Sequence, residues 1–160
     1  MNFENKLISG EFVKRYKRFF VDVKIKNKLI TAHCPNTGSM QGLLKKGNKV
    51  WLTKTTNPKR KLKYTLQFIE VNNSKVGINT HITNKIFLEA LKENKIKNFD
   101  KDINIKSEVK FGNNTRFDFL ITNKKYKAFI EVKNVTLSRR SKIAEFPDAV
   151  TSRGAKHISE

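Results

Sequence analysis

The chain has 160 residues, of which 38% are hydrophobic, with 12 Phe; that is enough apolar content for packed cores and excludes wholesale disorder. Its formal charge of +20 attracts polyanions, and nucleic acid is the commonest of these in a cytoplasm. No apolar run approaches the ~18 residues of a membrane span, the N-terminus lacks a signal peptide's apolar stretch, and the single Cys34 can close no internal disulfide, so a cytoplasmic protein with no membrane partner is expected.

The charge is unevenly placed. Residues 1–80 carry 17 Lys and Arg against 4 Asp and Glu, and residues 81–160 carry 17 against 10. A Lys-, Asn- and Ile-rich composition explains part of the excess, but it does not starve one half of acids. The first half is expected to be a polyanion-binding surface, while the second keeps carboxylates for another use.

In chain order, Phe19 to Ile25 alternates loosely, turns at Lys26-Asn27-Lys28 and returns as a strand over Leu29 to Cys34. Pro35 to Ser39 is a turn cluster, and Val50 to Thr53 is a further strand in which Trp51 is expected in the core. Tyr64 to Val71 and Lys75 to Ile78 pair as a hairpin about Asn72-Asn73-Ser74. Short strands at this density predict a small barrel over residues 1–80. The pattern changes near Thr83, a candidate N-cap, after which Ile86, Phe87, Ala90 and Leu91 share one helical face. Strands are predicted again at Ile105 to Phe111, Arg116 to Thr122 and Lys127 to Val135, and Phe146 onward begins like another helix, with Pro147 and Asp148 near its first turn. The class is therefore α+β, with a second domain over residues 81–160.

Strand parity puts Phe117, Phe119 and Ile121 on one face and Arg116 and Asp118 on the other, and it sets Glu131 and Lys133 on one face of the next strand. Adjacent antiparallel strands can thus bring Asp118, Glu131 and Lys133 together. Two carboxylates and an ammonium are what phosphodiester hydrolysis needs. The acids hold a divalent cation such as Mg²⁺, which polarises the phosphate and lowers the pKa of its water, and Lys133 steadies the developing charge. The spacing resembles the PD-(D/E)xK nuclease superfamily, although an E-x-K on an amphipathic strand is more commonly a solvated ion pair. That superfamily often adds an acid from the preceding helix. Here the residue is Glu89, which equally reads as a solvent-facing helix residue, and Glu108 is a weaker candidate.

Longer stretches resemble one family. KRYKRF (14–19), AHCPNTGSM (32–40), NPKRKLKY (57–64), RFDFL (116–120), EVKNVTL (131–137) and FPDAVTSRGAKH (146–157) are similar, in the same order, to the sugar fermentation stimulation (SfsA) protein family. The resemblance implies an N-terminal OB-like barrel followed by a restriction-endonuclease-like αβββ domain. It also implies DNA binding and a link to regulation of sugar use, maltose above all. Members run longer, so the second domain is expected to be truncated at its C-terminus.

Basic residues interleaved with aromatics suit phosphate contact and base stacking. Lys14, Arg15, Lys17 and Arg18 surround Tyr16 in this way, with Phe19 and Phe20 expected in the core. Lys59, Arg60 and Lys61 form a loop cluster, and Arg139 and Arg140 follow the acidic strand. The Asn36–Ser39 loop reads either as a phosphate cradle or as a structural turn. His33 and Cys34 lack the spacing for zinc, and His157 is expected on an exposed helix face. DNA, single- or double-stranded, is the expected partner, RNA the weaker alternative, and a homodimer is compatible with the sequence. The expected function is largely non-sequence-specific DNA binding of a regulatory kind, with a Mg²⁺-dependent DNA endonuclease as the alternative.

Overall fold

Three tight turns order the first half of the chain. In the computed structural model, which describes residues 2–3, 5–112, 115–140 and 142–146, β1 (Ile8–Tyr16) pairs antiparallel with β2 (Phe20–Ile25), and β2 with β3 (Lys28–His33). Ile25 faces Lys28 across a two-residue turn in which Lys26 and Asn27 both take positive φ, 45° and 65°; that geometry matches strand twist. Asn72 and Asn73, at 48° and 62°, make the same turn between β5 (Tyr64–Val71) and β6 (Ser74–Gly77). The β1–β2 connection instead sets Lys17 and Arg18 at φ 46° and 61°.

With β4 (Lys49–Lys54) the sheet runs β3-β2-β1-β4-β5-β6. A parallel pairing of β3 with β5, His33 opposite Thr65, closes its first five strands into a barrel. This is the OB connectivity. Alternate residues fill the interior: Val21 and Val23 from β2, Ala32 from β3, Val50 and Leu52 from β4, Leu66 and Ile69 from β5. Met40 and Leu43 plug it from the β3–β4 connection. Trp51 is not in this core, because strand parity gives the interior to its neighbours Val50 and Leu52. It lies on the outside, with the ammonium groups of Lys49 and Lys75 at 4.8 and 5.3 Å from its ring.

Strand β1 escaped the sequence reading because its alternation is broken. Its register against β2 shifts between Phe12 and Lys14, and Gly10 contributes no side chain. Gly10 is required by close approach: a Cβ there would stand 2.6 Å from Val23 Cγ1 and 2.9 Å from the Lys24 carbonyl oxygen. Gly10→Ala is expected to cost about 1–3 kcal/mol through overpacking, read as a lower urea midpoint.

A 3₁₀ turn (Thr80–Ile82) leads into α1 (Thr83–Lys92). Thr83 is the first helical residue and not the cap. Ile82 occupies the N-cap and makes no side-chain cap bond, since its aliphatic side chain has no acceptor to offer. On the expected apolar face Leu91 is buried and Phe87 meets Phe119 at 5.3 Å, whereas Ile86 is exposed. Strands β7 (Asn104–Phe111), β8 (Thr115–Thr122) and β9 (Lys127–Ile130) form an antiparallel sheet in that order. Strand β9 ends at Ile130 and does not run to Val135, because the Val132 N–H donates to the Asp118 carboxylate and not to a strand carbonyl.

The described residues divide into two compact units, one running to His81 and resumed from Asn134, the other Ile82–Lys133. The resumed segment is tied to the first unit by a bond from Asn134 Nδ2 to the Gly77 carbonyl, 3.1 Å, and folds on itself where Leu137 bridges Glu145. The fold is an OB-like barrel followed by a small one-helix, three-strand unit. Among the described residues no helix is long and apolar enough to cross a membrane. The helix expected beyond Phe146, with Pro147, Asp148 and His157, lies outside the described residues.

Candidate nucleic-acid interface and acidic site

Oligonucleotides that bind OB barrels lie on the face of strands 2 and 3, between the loops joining strands 1–2 and 4–5. Here the outward residues of that face form rows. Tyr16 is opposite Phe20, which is opposite His33, and Lys14 is opposite Asp22, which is opposite Thr31. The Tyr16 and Phe20 rings stack at 5.5 Å and 13°. Asp22, although buried, is satisfied: it accepts from Thr31 Oγ1 at 2.8 Å and Tyr16 Oη at 3.3 Å, with Lys14 Nζ at 3.7 Å. Phe19, expected in the core, is 48% exposed because it falls in the turn and not in β2.

The basic clusters occupy both flanking loops. Lys17 and Arg18 are exposed in the β1–β2 turn, and Lys59, Arg60 and Lys61 are exposed in the β4–β5 loop. That loop is organised by its own polar groups. Asn57 accepts from the Lys59 and Arg60 N–H groups, and Lys63 Nζ donates to the Asn57 and Pro58 carbonyls at 3.2 and 3.0 Å. Arg60 Nη2 donates to Thr65 Oγ1 at 3.2 Å, beside His33. Burial, then the charges of Arg60 and His81, hold the His33 imidazole below its ordinary pKa.

Arg15 is placed differently from its neighbours. Its guanidinium donates to three carbonyls, Asn36 at 2.7 Å, Gly38 at 2.8 Å and Arg18 at 3.0 Å. It therefore fastens the 36–38 loop to the β1–β2 turn. Within that loop the Gly38 N–H donates to Asn36 Oδ1 at 2.8 Å, a side-chain-closed turn. The geometry favours the structural-turn reading of these residues.

In the second unit, Asp118 on β8 accepts from Asn84 Nδ2 of α1 at 2.9 Å and from the Val132 N–H at 2.7 Å. Its carboxylate thus holds the middle of the Glu131-Val132-Lys133 tripeptide. Lys133 Nζ and Glu131 Oε1 are 2.9 Å apart. Asp118 thus meets the backbone between Glu131 and Lys133, whose side chains pair with each other; Glu89 does not complete a metal cluster, since among the described residues no three His, Cys, Asp or Glu side chains are grouped to hold an ion. Glu108 sits at φ 55° within β7, between the paired positions Ser107–Phe119 and Val109–Phe117, and pairs with Arg116 at 3.0 Å. Arg139 forks onto Glu145 at 2.7 and 3.0 Å in the first unit, and Arg140 is exposed. Sequence reasoning missed Asn84 and Lys63. The signal for Lys63 was its place in the quoted basic run; Asn84 had none beyond its first-turn position.

A closed OB barrel followed by a one-helix, three-strand unit defines a two-part OB-barrel class. Within it, residues 13–78 match the SfsA N-terminal OB domain and residues 81–160 match the sugar fermentation stimulation protein RE domain. The chain belongs to the SfsA, or sugar fermentation stimulation protein, family. It is 57% identical over 158 residues to a sugar fermentation stimulation protein homolog of Pelagibacter ubique, covering 99% of this chain and 68% of that one. With the homolog of Brucella ovis it shares 46% over 162 residues, covering 100% and 68%. The solved structure of Pyrococcus furiosus SfsA in complex with Ca²⁺ is similar, with a TM-score of 0.82, 27% identity, and coverage of 99% of this chain and 67% of that one.

Proposed function

We propose that the chain binds DNA across the β2–β3 face of its barrel, through phosphate contacts and stacking and with little base specificity. One observation supports this above the rest: the two basic clusters occupy the two loops that flank an outward aromatic row, Tyr16 and Phe20. Cations on both flanks track a backbone, and stacked rings offer a platform to any base. The relatives' shared name supports a role in sugar use; regulation of maltose genes, in a cytoplasmic setting, is the finer form of this reading. The test is titration of labelled single- and double-stranded DNA over a salt series, with matched RNA as competitor. Affinity is expected to fall steeply with salt, with about 0.7 in log–log slope for each phosphate contacted on a single strand. A slope near zero would refute it.

A second reading is a metal-dependent phosphodiesterase in the Ile82–Lys133 unit, favoured by the Asp118 carboxylate held against the E-x-K tripeptide. Asp118 and Glu131 are hard oxygen donors of the kind that suit Mg²⁺ or Ca²⁺, and Ca²⁺ accompanies the Pyrococcus furiosus relative. Each Asp118 oxygen accepts one bond and keeps a lone pair for a cation. A bound cation would polarise the phosphate and acidify its water. Lys133 would exchange Glu131 for the substrate's developing charge, and Asn84 would keep Asp118 in place. Labelled DNA incubated with Mg²⁺ or Mn²⁺ is expected to show cuts that vanish with EDTA and with Lys133→Ala while binding persists. Shifted but uncut DNA in every lane would leave binding alone.

A further inference from the structure

Where β3 meets β5 and the barrel closes, three cation-forming groups gather. His33 is opposite Thr65, Thr65 Oγ1 holds the Arg60 guanidinium, and the His81 ring lies 6.2 Å from that of His33, centroid to centroid. On its other side His33 is opposite the apolar Phe20. The charges that act on His33 come from the β4–β5 loop, as Arg60, and from the 3₁₀ turn, as His81; no carboxylate is among them. Charging His33 beside these groups without a counter-ion is therefore costly unless an anion joins them.

We propose that His33, His81 and Arg60 form a proton-linked phosphate subsite. This deepens the DNA-binding reading and rests on it for the source of the phosphate, which is a backbone phosphodiester or a terminal phosphomonoester. The three groups offer imidazole and guanidinium N–H donors in a half-exposed setting at the end of the aromatic row. The free protein holds His33 neutral near pH 7, since burial and both neighbours oppose its charge. An arriving phosphate reverses the balance, and the imidazole takes up a proton. Binding therefore strengthens as pH falls, by at most about tenfold per pH unit for each proton taken up. The same sign governs the free protein's stability. A lowered histidine pKa leaves stability whole above about pH 6.5 and erodes it as pH falls below.

The test is a pH titration of imidazole resonances by NMR on the full chain, in sodium phosphate and in sodium chloride of equal ionic strength. The His33 midpoint is expected to be higher in phosphate, and Arg60→Gln and His81→Gln each to reduce the difference. An unmoved midpoint overturns the proposal. Oligothymidylate with a 5′-hydroxyl or a 5′-phosphate then separates the sources: equal pH dependence assigns a backbone phosphodiester, and dependence confined to the 5′-phosphate assigns the terminus. If no oligonucleotide binds yet inorganic phosphate shifts His33, the subsite stands and the DNA reading fails. If oligonucleotides bind with no pH dependence and His33 is unmoved, the reverse holds. Backbone amide spectra of each variant exclude misfolding.

Discussion

Replacing Lys17, Arg18, Lys59 and Lys61 together by Asn is expected to weaken single-stranded DNA binding by about 10²- to 10³-fold near 0.1 M salt. The magnitude follows from counterion release. Four phosphate contacts at about 0.7 each amount to about 2.8 in log–log slope, so the variant's salt dependence should flatten by that amount. Asn is the right replacement, because Lys17 and Arg18 have φ of 46° and 61° and a left-handed turn tolerates Asn better than Ala. Folding should be nearly untouched, since all four side chains are exposed. Lys26→Asn with Lys28→Asn, at the opposite end of the β2–β3 hairpin, provides the control. If that pair flattens the slope as much per charge, the polyanion reads net charge and the face has no special role.

How far the sequence disclosed this arrangement depends on the range of each interaction. The β2–β3 and β5–β6 hairpins were legible because alternation and a two-residue turn are local, as Lys26-Asn27 and Asn72-Asn73 demonstrate. Strand β1 was not, because Gly10 and the irregularity near Val13 erase its period. Trp51 was misplaced because hydrophobicity alone put it inside, where parity assigns Val50 and Leu52. The basic clusters were visible in the sequence, Lys59 to Lys61 already as a loop, but that their two loops flank one face could be known only once β3 paired with β5. Asp118 lies on β8 as its parity required, but β9 stops at Ile130, so Glu131 and Lys133 follow the strand and Asp118 meets them through the Val132 N–H, a side-chain-to-backbone bond that parity does not encode. Asn84 was not legible either, since it reaches Asp118 from a helix 34 residues earlier in the chain.

Arg15 is the residue whose role the sequence hid most completely, and its replacement has the second large effect. Arg15→Ala would strand the carbonyls of Arg18, Asn36 and Gly38, and Asn36 is buried. Bonds from a charged donor are worth about 1.5–3 kcal/mol each, and orphaned buried acceptors cost about 1–3 kcal/mol. A net loss of about 2–4 kcal/mol is expected, since the exposed Arg18 and Gly38 carbonyls regain water. Thermal denaturation should register it as a fall in Tm of about 4–16 °C. Arg15→Lys should recover little, because a compact ammonium cannot span carbonyls that a planar fork reaches at once. The same variant separates the clamp from a phosphate contact. A contact residue would lower the DNA salt slope by about 0.7 and leave Tm alone. A clamp lowers Tm and, at a temperature where the chain is still folded, weakens binding without changing the slope, because the cations of the β1–β2 turn remain but are no longer fixed in place.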